Sequence, residues 1–579
     1  MKIFFSCLLL VLVSCNSSNQ EKTAVVSTKI EGNYVIEDIL IETEKDIFIS
    51  GIVVKKKDDV SPKPVILQHT IYVRNRDIYT LKHAVDNGYV GIITYTRGKY
   101  KSPNTIVPYE HEVTDTYAVI DWISKQKWCN GNVGMYGGSY NGFTQWAATK
   151  KMHPALKTIV PAAANRPGNG LPMENNVFIN PNYEWAFLVG NNKTLDTIVG
   201  NDRQRFRSLK FEWWNSGSAY KKMDSIDGTP NAFFQRWISH PSYDEYWQNM
   251  IPYKEEFAKI YIPILMFDGY YNDSQNSNLY FHRQHYKYNK NAENYLIIGA
   301  YDHIGSQKGG SQQLRGYQLD ENGLIDPLKI TYEWFDYILK NGSKPTILKD
   351  KINYQVMGTN TWKTANSIDA MSTQELKLFL TDYKEENYLQ LLESQQKELK
   401  SLSQTIDFKD RNTSNNNNSY PFPIIENELN PTNGFKFITK PFEEDTFISG
   451  SFSGELIFTI NKKDVDIGVT LFEVLPSGKF FHLSGFIGRA SYAKDETTRN
   501  LLTPNEICTL PFSNTRLISK KLQKGSRLLV ILDVNSNPFS QLNYGTGTDV
   551  SDETIKDASE PLKIEWFTDS YIKIPIFKP

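Results

Sequence analysis

Two hydrophobic periods alternate along the first half of the chain, and one of them takes over in the second. From Tyr34 to Lys55 apolar and polar residues alternate, the pattern of antiparallel strands with one covered face. Two unbroken apolar runs follow, Lys63-Pro-Val-Ile-Leu-Gln-His69 and Tyr89-Val-Gly-Ile-Ile-Thr-Tyr95, which read as strands covered on both faces. Helical spacing fills the intervals. One helix is expected over 77–87, ended by Gly88. Another is expected over 113–128, with Val113, Tyr117, Ile120 and Ile123 on one face and Thr114 as the cap. A third apolar run ends in Gly137-Gly138-Ser139 and opens into a helix-like stretch, and 156–160 is again a strand. Strands and helices in this rhythm predict a mostly parallel sheet with right-handed crossovers.

Residues 166–258 break the rhythm. They are rich in Asn and aromatic residues, including Trp185, Trp213, Trp214, Trp237 and Trp247, with helical pieces over 194–209 and 232–239. Their place directly after the 156–160 strand predicts an inserted helical cap. The αβ rhythm then resumes. A strand over 262–267 leads into Asp268-Gly-Tyr-Tyr-Asn-Asp273, a helix is expected over 276–286, and a strand over 295–299 leads into Ala300-Tyr-Asp-His303. A helix over 328–339, capped by Gly342, closes the unit. From Ile352 on, short alternating runs at 376–380, 455–460, 467–472 and 527–532 predict an all-β sandwich, with a polar loop over 411–419. The expected division is 29–165 and 259–345 for an α/β-hydrolase domain, 166–258 for its cap and 346–579 for the sandwich.

The chemistry concentrates at Gly137-Gly-Ser-Tyr-Asn-Gly142. A serine on a sharp strand-to-helix turn is a nucleophile elbow, with the Tyr140 amide at the helix start facing an oxyanion on Ser139. Asn141 stands where the strict motif has its second glycine, and asparagine tolerates the turn. An α/β-hydrolase needs serine, acid and histidine in that chain order, each after a strand. Of nine histidines, His303 meets both conditions. His69 follows a strand but precedes the serine, His282 and His285 fall on an expected helix, His482 lies in the β-rich half, and His83, His111, His153 and His240 have no strand leading in. Asp268 and Asp273 are both candidates for the acid. Asp273, deeper in the loop, is the better placed to reach back to the imidazole.

Composition narrows the reading further. A chain of 579 residues exceeds one core. A net charge of −1 argues against nucleic acid or an electrostatic membrane surface as partner. Of four cysteines, Cys7 and Cys15 lie in the leader; Cys129 and Cys508 form neither a disulfide framework nor a zinc site. The leader, Lys2 and then an apolar run to Val13, is too short to span a bilayer and reads as a signal peptide over 1–15. Ser14-Cys15 resembles a bacterial lipoprotein signal. That implies lipidation at Cys15, a flexible tether over 16–28, and export across the inner membrane with the lipid as the only membrane contact.

With the elbow, Gly269-Tyr-Tyr-Asn-Asp273 and Ile298-Gly-Ala-Tyr-Asp-His303, two further motifs, Val356-Met-Gly-Thr-Asn-Thr-Trp362 and Asn537-Pro-Phe-Ser-Gln-Leu-Asn-Tyr-Gly-Thr-Gly547, make the chain resemble one family of serine hydrolases. It includes cocaine esterase, α-amino-acid ester hydrolases, glutaryl acylases and X-Pro dipeptidyl-peptidases. The resemblance implies a jelly-roll sandwich, a nucleophile at Ser139 and a base at His303. It places the acid at position 272, where this chain has Asn272 with Asp273 next. It also implies an oxyanion donor from Tyr72, through Ile66-Leu-Gln-His-Thr-Ile-Tyr72, and plausible self-association. Ester, amide or short-peptide substrates cleaved through an acyl-enzyme, with no metal or cofactor, are what it implies. The alternative is a lipoprotein that binds a peptide or glycan on the same fold without turnover. Ser274 and Gln275 stand where amino-ester hydrolases carry part of an acidic cluster, which weakens the case for an α-amino substrate. Glu110, Glu112 and Asp115 read as a solvated helix start.

Overall fold

A computed structural model of the protein describes residues 24–416 and 422–578. The signal peptide and Cys15 lie outside the described residues, as do positions 417–419 of the polar loop. Of the tether expected over 16–28, positions 16–23 also lie outside the described residues, and its end is instead a strand, Val25–Glu31, paired with Tyr34–Glu44.

Eleven strands form the catalytic sheet. Val25–Glu31, Tyr34–Glu44 and Ile47–Lys56 make an antiparallel edge. Val90–Tyr95, Lys63–Thr70, Cys129–Gly138, Leu156–Ala162, Ile264–Tyr271 and Asn294–Asp302 then lie side by side in parallel. The Val90–Tyr95 strand is buried along its whole length, which is why its sequence loses the two-residue period. Helices cover both faces. A Cβ at Gly134 would lie 2.9 Å from Phe335 of the helix Pro327–Lys340, so that helix rests directly on the sheet. Fully burying one such Phe, Leu or Ile contributes about 1.5–3 kcal/mol.

The order of the strands locates the site. From Lys63–Thr70 the chain moves to one side, to Val90–Tyr95; from Cys129–Gly138 it moves to the other, to Leu156–Ala162. Lys63–Thr70 and Cys129–Gly138 are adjacent, so the connections diverge between them. That opens a crevice at their carboxyl ends, where open α/β sheets bind ligands. Tyr72 follows one of these strands and Ser139 the other.

Several boundaries differ from the sequence expectation. Ile352–Val356 and Thr361–Ala365 complete the catalytic sheet, the first parallel to Asn294–Asp302. Two strands of the stretch expected for the sandwich thus pair with the catalytic sheet; short apolar strands carry no mark of which sheet they join. The helix expected over 113–128 is Glu112–Ser124, with His111 rather than Thr114 at its cap. The helix expected over 194–209 is Arg203–Ser216, started by Asp202, whose side chain accepts from the Arg205 amide. Asn341, in the left-handed conformation at φ 57°, ends Pro327–Lys340 in place of Gly342.

The cap contains the helices Pro181–Gly190, Arg203–Ser216 and Ala232–Ile238 and a small sheet built from 167–178. The C-terminal domain is all β. Its long strands Gln374–Glu385, Ser453–Ile460, Asp466–Val474, Phe480–Arg489 and Arg527–Val534 bury alternate residues or whole faces around one core. Among the described residues no helix is long and apolar enough to cross a membrane.

Candidate active site

Ser139 sits between the strand Cys129–Gly138 and the helix Tyr140–Lys150 with φ 61° and ψ −123°. A non-glycine residue in that region is strained, and the surroundings hold it there. The Ser139 amide donates to Ala162 O at 2.9 Å, and Gly142 and Phe143 amides donate to Ser139 O at 2.9 and 3.0 Å. A Cβ at Gly142 would lie 2.7 Å from the Ala164 Cβ, so this glycine lets the helix close on 162–164. A Cβ at Gly138 would lie 2.3 Å from the Gln307 side chain. Gln307 in turn donates to His303 O at 2.9 Å, tying the histidine segment to the residue before the serine.

His303 follows Asn294–Asp302, and the acid loop follows the neighbouring strand Ile264–Tyr271. His303 Nδ1 lies 2.9 Å from Asp273 Oδ1 and 2.9 Å from Asn272 Oδ1. Both oxygens only accept, so Nδ1 carries the proton and Nε2 is left as the basic nitrogen. Burial disfavours the imidazolium, but Asp273 and then Asp268 and Asp302 outweigh it and raise the His303 pKa above the ordinary value. Burial would raise Asp273, yet the charge and hydrogen bond of His303, the Ser274 amide and Arg516 hold it below the usual carboxylate range.

Asp268 is the other carboxyl weighed from sequence, and the structure separates the two. It lies inside the strand, 0% exposed, and accepts from the Gly269 amide at 2.8 Å, Asn272 Nδ2 at 2.7 Å and Asn278 Nδ2 at 3.0 Å. Burial pushes its pKa up to about 7. Asn272 thus stands between the two: its amide donates to Asp268 and its oxygen faces His303. The position that the resemblance assigns to the acid holds a neutral bridge, and the next residue supplies the carboxylate. The loop is pinned on two sides. Ser274 Oγ donates to Ala163 O at 3.1 Å, beside the elbow. From the C-terminal domain, Arg516 donates to Asp273 O at 3.3 Å and Leu517 N to Gln275 Oε1 at 2.6 Å.

Tyr72 and Tyr140 flank the serine. The Tyr72 hydroxyl is within hydrogen-bonding reach of Ser139 and accepts from Trp185 Nε1 of the cap at 3.1 Å; burial, the largest influence, raises its pKa. Tyr140 is the first residue of its helix, so its N–H has no acceptor within the helix. Its ring is buried, its hydroxyl donates to Glu112, and the Tyr109 amide donates back to that hydroxyl at 3.0 Å. Trp185 stacks over Tyr140 at 5.8 Å and Tyr109 at 5.4 Å, giving the crevice an aromatic wall. A cavity of about 230 Å³ adjoins the acid loop, lined by Leu171 and Glu174 of the cap, Asn272 and Asp273, and His482, Phe486 and Arg516 of the C-terminal domain.

Glu112 and Asp115 correct the expectation of a solvated helix start. They are 2% and 1% exposed. Asp115 takes a two-pronged contact from Arg97 at 2.8 Å on each oxygen, and burial lifts Glu112 to about pKa 7 beside the Tyr140 hydroxyl. Helical spacing shows which face carries a carboxyl, not that the face is covered. Cys129 and Cys508 are free. Among the described residues no cluster of His, Cys, Asp and Glu could hold a metal ion. Trp185, Asn272, Ser274 and Arg516 contribute to the site without having been singled out for it. Only Asn272 had a signal, its place in the acid motif.

This fold and these residues define an α/β-hydrolase with a capped serine site. The family model of the X-Pro dipeptidyl-peptidase (S15 family) matches residues 56–305, and that of the X-Pro dipeptidyl-peptidase C-terminal non-catalytic domain matches 348–559. The chain belongs to this family of serine hydrolases, which takes in cocaine esterase. It is 22% identical to a cocaine esterase of Rhodococcus sp. (strain MB1 Bresler) over 91% of this chain and 96% of the relative. Two solved structures share the fold. An aminopeptidase from a marine sediment Thaumarchaeota archaeon has a TM-score of 0.75 at 17% identity, covering 98% of this chain and 100% of its own. An α-amino acid ester hydrolase has a TM-score of 0.72 at 17% identity, covering 97% and 100%.

Proposed function

We propose that the protein cleaves carboxylic esters or amides, short peptides included, through a Ser139–His303–Asp273 triad and an acyl-enzyme. Ser139 Oγ attacks the carbonyl carbon while His303 Nε2 takes its proton and then delivers it to the departing oxygen or nitrogen. Water, deprotonated by the same nitrogen, releases the acid and restores the serine. Asp273 holds the Nδ1 proton in place and stabilises the imidazolium. The Tyr72 hydroxyl and the Tyr140 amide receive the oxyanion, each such donor being worth about 3–4 kcal/mol in comparable sites. The observation that carries this reading is the strained Ser139 with the Tyr72 hydroxyl in reach, three strands along the sheet from a histidine whose Nδ1 lies 2.9 Å from a carboxylate.

The test is irreversible labelling by a fluorophosphonate, together with turnover of p-nitrophenyl acetate and butyrate, Gly-Pro-p-nitroanilide and ampicillin. Wild type is expected to label and to turn over at least one of the four, and Ser139→Ala to do neither. A folded wild type that does not label removes the hydrolase reading and leaves the binding lipoprotein. We also propose that Cys15 is lipidated and anchors the exported protein, on the strength of its signal-like leader; Cys15→Ser should then leave the membrane fraction, and retention there would overturn it.

A further inference from the structure

The charges around the crevice are distributed unevenly. On the side of the cap and C-terminal domain, carboxylates among the described residues are matched. Glu174 pairs with Arg516 at 2.8 Å, Glu184 with Lys210, and Glu110 with Arg236 at 2.6 Å. Glu112 is tied to Tyr140, and Glu496 is held by Arg166 at 2.6 Å. Among the described residues these five carboxylates all have partners.

The opposite rim reverses this. Arg74, Arg76 and Lys308 are all exposed, and among the described residues none has a carboxylate within ion-pairing distance. Arg74 lies two residues past Tyr72, its guanidinium stacked 4.8 Å from the Tyr72 ring centroid. Arg76 precedes the helix Asp77–Asp86, an end where a cation is disfavoured by the helix dipole. Lys308 ends the short helix Gly305–Lys308, whose Gln307 packs on Gly138 beside Ser139. Both segments are tied to the surroundings of Ser139, Arg74 through the Tyr72 ring and Lys308 through its neighbour Gln307 on Gly138, and burial together with repulsion from Arg76 and Arg74 lowers the Lys308 pKa. The neighbouring acids in the chain spend their hydrogen bonds on other groups, although the charge of Asp77 still reaches Arg74. Asp77 is buried and accepts from the Arg74 amide and the Tyr95 hydroxyl, and Asp302 accepts from the Gly305 amide.

Three unmatched like charges kept beside an oxyanion donor oppose one another in the free protein, and an anion placed among them relieves that repulsion. We infer that Arg74, Arg76 and Lys308 form an anion-binding rim, and that the substrate carries a carboxylate close to the scissile ester or amide. This rests on the hydrolase reading above and names a substrate class for it.

The experiment compares esters matched except for charge. p-Nitrophenyl hemiglutarate against p-nitrophenyl valerate places the carboxylate on the acyl group; 4-acetoxybenzoate against 4-acetoxybenzamide places it on the leaving group. In one of the two pairs the wild type should favour the anionic member in kcat/KM by about tenfold at low salt, through KM, with the preference shrinking as salt rises. Arg76→Glu with Lys308→Glu should abolish or invert the preference and leave the neutral ester unchanged, which also reports that the variant folds. Which pair responds says on which side of the scissile bond the carboxylate sits. Ser139-dependent turnover without a preference in either pair, or a preference that survives both charge reversals, overturns the rim alone. Absence of Ser139-dependent turnover of all four esters overturns the rim alone if the folded wild type still labels with a fluorophosphonate, and overturns the hydrolase reading with it if labelling fails too.

Discussion

The serine side and the acid side of the site are built in different ways. Ser139, Tyr140 and Tyr72 are held within one stretch of sheet and helix. The elbow amides bond to 139 and 162, Gly142 closes on Ala164, and both strands meet at the switch point. The acid side is held both from within the catalytic half, by Ala163 and Arg315, and from the C-terminal domain. Asn272 to Gln275 are fixed by Arg516 and Leu517 of the C-terminal domain, Tyr271 donates to His482 O at 3.1 Å, and Arg315 donates to Tyr271 O at 2.8 Å. The difference assigns the C-terminal domain a mechanical part. It helps set where the Asp273 carboxylate stands relative to the His303 imidazole, while the bonds described around Ser139 come from the catalytic half.

Substitutions on the two sides should separate these roles. The largest effect is expected from Asp273→Asn, a loss of kcat on the order of 10³–10⁴-fold, because the imidazole loses the group that fixes its tautomer. Its pH profile carries the sign. His303 acts as base only when neutral, and its raised pKa sets the acid limb of kcat/KM above about pH 6.5 in the wild type. Without the carboxylate the desolvation of His303 dominates, so the limb should move to lower pH. Asp268→Asn, behind the Asn272 bridge, should move the limb in the same direction but less, because Asp268 raises His303 less than Asp273 does. A fall as deep for Asp268→Asn as for Asp273→Asn would exchange the two assignments.

Tyr72→Phe probes the serine side. It removes one oxyanion donor and should lower kcat about 10²–10³-fold with KM nearly unchanged. Labelling by fluorophosphonate should slow with it, and a change confined to KM would make Tyr72 a pocket wall instead. The smallest effect is expected from Arg516→Leu. It unpairs Glu174 and frees the Asp273 carbonyl, so kcat should fall by about tenfold, as expected for a misplaced rather than a missing group. Melting should shift by only a few degrees. The comparison fails if Arg516→Leu slows fluorophosphonate labelling as much as Tyr72→Phe does.

The sequence by itself determined the parts that depend on neighbours in the chain. The period change marks where the parallel sheet begins. A glycine-flanked serine between an apolar strand and a helix can hardly form another turn, because only small residues admit the close approaches at Gly138 and Gly142. The order serine, acid, histidine, each after a strand, pointed to Ser139, to Asp268 or Asp273, and to His303 as candidates. What only the tertiary structure decided depends on contacts between distant segments. Asp268 and Asp273 are five positions apart and chemically alike. One is sealed in the strand behind Asn272 and the other meets His303, because the loop is pinned by residues 163 and 515–517. Glu112 and Asp115 share the spacing of a solvated face but are buried by Tyr140 and Arg97. Ile352–Val356 and Thr361–Ala365 join the catalytic sheet although their pattern matches the strands that follow. Burial and pairing across the fold assign these roles, and neither leaves a local trace in an amino-acid pattern.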